Sequence, residues 1–238
     1  MCYNRAVNGR RAAAGGRRPE LKVNVDEALR YLGAADAPQT LRRQVAEAAE
    51  EVAAQFQPRY TYRVFPLELA REGAVLSGSA VCLPGDTALR MLAQCGSAVL
   101  LACTLGARFD LFLTAMQARD MARAVIYDAC GSALVENGCD AVEEALGTRF
   151  PDLYLTDRFS PGYGDLPLSV QPEISAALDA SRRLGLHVTE SLLLNPVKSV
   201  TAVIGLSDRP QMARIRGCAY CQMREHCALR KGGKSCGE

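Results

Sequence analysis

Several signals are missing from this chain, and each absence removes a class of function. No apolar run approaches the roughly 18–20 residues that span a bilayer, so no transmembrane helix is expected. Met1–Glu20 carries five Arg and no apolar core of signal-peptide length, so the reading is cytoplasmic. The formal net charge is only +2, which points to neither a nucleic acid nor a membrane surface as partner. Neither GxGxxG nor GxxxxGK followed by Ser or Thr occurs, which removes the usual dinucleotide and phosphate loops. Regular βαβ alternation is also absent, so α+β is expected rather than a doubly wound sheet.

What is present is a soluble composition: 238 residues, 49% hydrophobic and 23% charged. That length allows one large domain plus an appendage. The expected division is a loose arm over 1–20, a main domain over 21–208 and a cysteine-rich segment over 209–238. "VDEALRYLG" reads as a short helix with Asp26 as its cap and Gly33 as its stop. Leu41, Val45, Ala48, Val52 and Phe56 form one apolar stripe of a longer helix that ends at Pro58. "RYTYRVFPLEL", "AVLSGSAVCL" and "SAVLLACTLG" read as strands, the last buried on both faces. "GDTALRMLAQC" reads as a short helix, and 108–146 as two helices. On the second of these, Cys130, Ala133, Gly138, Ala141 and Ala145 form a side small enough for close approach. Glu136, Asp140 and Glu143 lie on another side, where Asp140 and Glu143 read as a solvated acidic face. "LYLTDRF", "LHVTESL" and "SVTAVIGL" read as strands. One helix over Ile174, Ala177, Leu178 and Leu184 precedes the last two. The sheet is expected to be twisted and mostly antiparallel, with flanking helices.

The segment "RFSPGYGDLP" stands between a strand and a helix. Pro161-Gly162 suits a tight turn, and Gly162 would let a ligand approach the main chain. Arg158 offers a planar fork of donors that can grip a carboxylate. Tyr163 offers a flat face and a hydroxyl. By residue chemistry alone, a structural turn and a ligand loop both remain open.

The order of motifs adds a resemblance. Arg158, Ser160-Pro161-Gly162-Tyr163, Thr189-Glu190-Ser191, Pro196 and Ser199-Val200-Thr201 follow one another as in the activation domain of cobalamin-dependent methionine synthase. The resemblance covers roughly 120–206. It implies an S-adenosylmethionine-binding domain that presents its ligand to a cobalamin carried by a partner, either methionine synthase or another corrinoid protein. Reactivation in that family combines methyl transfer from S-adenosylmethionine with one-electron reduction of cob(II)alamin. By the same resemblance, Arg158 contacts the ligand, Ser160 and Gly162 meet it through their backbone, and Tyr163 lies beside it. Glu136 corresponds to a family Glu on the preceding helix. The family's first ligand-binding Asp is not placed, and a family Tyr downstream of the Ser-Val strand has no match here. The large catalytic modules are absent at this length, so the expected role is that of a stand-alone activator.

Ten cysteines are present, and four crowd into the last 21 residues: Cys218, Cys221, Cys227 and Cys236. Their C-x2-C-x5-C-x8-C spacing is that of a four-thiolate metal centre. The ligand set fits zinc or a 4Fe–4S cluster. The resemblance favours iron–sulfur, because a reactivator needs an electron from a low-potential donor.

Overall fold

The computed structural model describes residues 21–211 together with Glu225. The expectations for the arm and for the four C-terminal cysteines lie outside the described residues. α1 spans Val25–Tyr31 and is capped by Asn24, whose side chain accepts from the Glu27 N–H at 3.1 Å. The expected cap, Asp26, instead pairs with Arg42 at 2.7 Å. Asn24 takes the cap because the chain is still extended there, so its oxygen can turn back onto the first helical turn. Gly33 stops the helix with φ +67°, and the Ala34 N–H reaches back to the Leu29 carbonyl. α2 spans Gln39–Gln55 and buries Val45, Ala48, Ala49 and Val52, the face set by its apolar stripe.

β1 (Arg59–Ala70) is followed by β2 (Gly73–Leu76) and β3 (Cys82–Leu83). The sequence reads the last two as one strand. They are two, because Leu76 and Val81 close a turn over "SGSA". α3 (Asp86–Leu92), β4 (Ser97–Thr104), α4 (Ala107–Gln117) and α5 (Met121–Arg149) come next. β5 is only Tyr154–Leu155. Two short helices, α6 (Gln171–Leu178) and α7 (Ala180–Leu184), replace the single one expected. Asp179 separates them in the left-handed region, at φ 54°. "LHVTESL" is likewise not a continuous strand. β6 (His187–Val188) pairs with β7 (Leu194–Asn195), and Thr189-Glu190-Ser191 makes the turn between them. There the Thr189 hydroxyl accepts from the Leu193 N–H, which favours a turn over an extended run. β8 spans Ser199–Ser207.

The main sheet runs β3-β2-β1-β4-β8-β5, with every pairing antiparallel. Its centre is covered on both faces. Along β4, Val99, Leu101 and Cys103 enter a core with α1, α2 and α5. Their neighbours Ala98, Leu100 and Ala102 enter a second core with α3, α6 and α7. Successive side chains point to opposite faces, so two covers explain the unbroken apolar run of β4. α5 approaches closely where it carries glycine. A Cβ at Gly138 would lie 2.6 Å from Pro58 and 2.8 Å from Cys103 Sγ. On its small side Cys130, Ala133 and Gly138 are buried, whereas Ala145 is exposed. Among the described residues, no helix is long and apolar enough to cross a membrane.

Candidate functional site

The segment after β5 is tied to the sheet by one residue. Phe159 exchanges two backbone hydrogen bonds with Val203 of β8, at 3.1 and 2.8 Å. Its ring is buried in the second core. Alternation therefore sends Arg158 to the opposite face, where α5 lies. The Arg158 side chain is only 8% exposed. One Nη donates to Glu136 at 2.7 Å. The other donates to Asp140 at 3.0 Å and also to Glu143. These acids stand at i, i+4 and i+7, one stripe of α5. Burial works against the guanidinium charge. Its carboxylate neighbours Glu143, Glu136 and Asp140 outweigh burial and hold Arg158 above its ordinary range.

α1 lies against the same stripe. Burial, together with Glu136 and Asp140, raises the Glu27 carboxyl, while Arg30 and Arg158 oppose the rise. Partial burial first, then Glu136 and Glu27, pushes the Tyr31 phenol up to about 12. Cys139, beneath Arg158, is pushed well up by a hydrogen bond with Cys103 and by burial. It is therefore a thiol at neutral pH and no nucleophile.

The turn follows immediately. The Tyr163 N–H donates to the Ser160 carbonyl at 3.0 Å, and the Gly162 N–H to the Leu166 carbonyl at 2.7 Å. Gly162 has φ +90°, which only glycine adopts freely. Tyr163 is half-buried against the second core. Asp165 then accepts from the Asp86 and Thr87 N–H groups at the start of α3. These bonds, led by the one from the Thr87 hydroxyl, lower its carboxyl to about 2.

The fold pairs Glu136 with Arg158 on the α5 side of the sheet, whereas Tyr163 packs against the second core, with Ser160 and Gly162 in the turn that joins them. Glu136 and Arg158 are each other's partners, so the Arg158 fork faces carboxylates of its own chain. Asp140 and Glu143 are not simply a solvated face, because both bind Arg158. Three carboxylates against one guanidinium leave an excess of two negative charges. The sequence reading missed the roles of Asp140, Glu143 and Asp165. The i, i+4, i+7 spacing of the acids was a visible sign that one group could meet all three. A groove of about 270 Å³ opens on another flank of α5, lined by Leu21, Gln57, Pro58, Tyr60, Ala141, Glu144, Ala145 and Thr148. It includes neither Arg158 nor the turn.

Neither a family model nor a curated protein matches this sequence. Among solved structures, the crystal structure of the MetH reactivation domain bound to AdoHcy superposes with a TM-score of 0.61. The match covers 84% of this chain and 74% of that one, at 16% identity. This chain has the reactivation-domain fold. The α+β architecture expected from the lack of βαβ alternation is therefore the one found. Within this reactivation-domain fold, the Arg158 cluster joins α5 to the turn that follows β5.

Proposed function

We propose that this chain binds S-adenosylmethionine at the Arg158 turn and serves as a stand-alone reactivator of a cobalamin protein. The observation behind this reading is the direct pairing of Arg158 with Glu136 beside the Ser160–Tyr163 turn. The cobalamin would be carried by a partner methionine synthase.

The charge of the site suits the ligand. S-adenosylmethionine bears a sulfonium and an ammonium against one carboxylate, and an excess of carboxylate favours a net cation. Glu136, oriented by Arg158, would face the positive groups. Ser160 and Gly162 would meet the ligand through their main chain, with Tyr163 beside it. S-adenosylmethionine supplies an electrophilic methyl group, which with one electron converts cob(II)alamin to methylcobalamin and leaves a neutral thioether. No proton changes hands, so this chain needs to position the ligand and exclude water rather than supply an acid or base.

The electron needs a low-potential source. Cys218, Cys221, Cys227 and Cys236 would hold a 4Fe–4S cluster that relays it, or a zinc ion that only braces the tail. The thiolates are the donor set for either.

Calorimetry of the full chain with S-adenosylmethionine tests the reading, and the expected result is saturable binding of one ligand. An intact protein that ignores S-adenosylmethionine refutes it. Anaerobic purification tests the relay. About four irons per chain support it, and one zinc with no iron rejects it. Copurification distinguishes methionine synthase from another corrinoid partner.

A further inference from the structure

The Ser160–Tyr163 turn is anchored at two ends. Phe159 holds one end on β8. The other is held by Asp165, whose Oδ2 accepts from the Asp86 N–H at 2.6 Å and Oδ1 from the Thr87 N–H at 2.9 Å. α3 brings no side-chain cap of its own, because its N-cap residue is Gly85. A residue 79 positions later in the chain supplies what the helix lacks. The approach is close enough to require glycine on both sides. A Cβ at Gly85 would lie 2.7 Å from the Asp165 carboxyl carbon, and one at Gly164 would collide with the Thr87 side chain. Both glycines have positive φ, 97° and 61°. The anchor itself is firm: Thr87, Ala88, Met91 and Leu92 are buried. Just past the second anchor, the Leu166 N–H donates back to the Tyr163 carbonyl at 3.1 Å, and Leu166 is 1% exposed.

We infer that Asp165 is the positioning residue of the ligand turn, holding Ser160, Gly162 and Tyr163 in the arrangement that meets S-adenosylmethionine by latching the turn onto α3. This rests on the proposed function above. A cap with a purely structural role would change stability and leave affinity alone. A positioning latch sets the fraction of molecules whose turn is competent, and that fraction scales the apparent Kd.

The test combines calorimetry with S-adenosylmethionine and backbone hydrogen exchange in the ligand-free protein. Asp165→Ala is expected to weaken binding by about tenfold. It should also speed exchange at Gly162 and Leu166 while β4 and β8 amides keep wild-type rates. Asp165→Asn keeps one of the two oxygen acceptors and sets an NH2 against the other N–H, so its affinity is expected to fall between those of wild type and Asp165→Ala. If Asp165→Ala does not fold, Thr87→Val decides. It removes the Thr87 hydroxyl, which helps keep the Asp165 carboxyl low, at nearly constant volume, and is expected to cost about threefold in affinity. Wild-type affinity and unchanged turn exchange in the folded variants overturn the latch. If the wild-type chain does not bind S-adenosylmethionine, the functional reading falls instead. The exchange rates then judge the latch: faster turn exchange supports it and unchanged exchange rejects it.

Discussion

Replacing Arg158 with Met removes the guanidinium and keeps much of the side chain's bulk. Three carboxylates then face one another without a counter-charge. The Arg158 side chain is 8% exposed, and those of Glu136 and Glu143 are 28% and 22% exposed. Removing one partner of a fully buried pair costs about 3–5 kcal/mol. Asp140 is 56% exposed and all three acids keep some water, so a discount to about 2–3 kcal/mol is appropriate. For a protein of this size, that lowers Tm by roughly 5–10 °C. The deficit should shrink in acid, where protonation relieves the repulsion among the carboxylates. It should also shrink in a double variant with Glu143→Gln, by about 1 kcal/mol. Arg158→Lys should not rescue, because an ammonium is a point charge without the planar fork that reaches three partners. Differential scanning calorimetry at pH 7 and pH 4.5 reads all of this. The reasoning is refuted if Arg158→Met melts with wild type at pH 7. It is equally refuted if the deficit grows in acid.

Three further outcomes are expected. S-adenosylmethionine should bind about tenfold more tightly than its neutral thioether product, because the cluster carries excess negative charge. Glu136→Gln should narrow that ratio in competition calorimetry, and equal affinities would contradict the electrostatic reading. Gly131→Ala should cost about 2 kcal/mol in chemical denaturation, because its new Cβ would enter the ring of fully buried Phe109. The Asp165 carboxyl should titrate with a midpoint of about 2 by NMR. Because the folded value is depressed, its contribution to stability is present above about pH 4, the ordinary Asp value, and is lost as pH falls towards 2. A midpoint near 4 would show that the α3 contact does not hold in solution.

Features that depend on neighbours along the chain were legible in the amino-acid order. The stripe of α2, the unbroken apolar run of β4, the stop at Gly33 and the turn at Pro161-Gly162 all follow from local periodicity or backbone freedom. Motif order carried the fold as well. Where short elements were misread, a local feature had broken a plausible pattern: left-handed Asp179 between α6 and α7, and the Thr189 turn between β6 and β7. The electrostatics of the site came instead from how distant segments pack. Arg158 is 22, 18 and 15 residues from its three carboxylates, and spacing alone does not say which face of α5 meets the strand that carries it. The same holds for Asp165, because a missing cap on α3 shows only that some acceptor is needed. Which acceptor fills it depends on how the sheet brings distant segments together. Both contacts arise because one sheet, covered on both faces, places α5 on one side of the segment after β5 and α3 on the other.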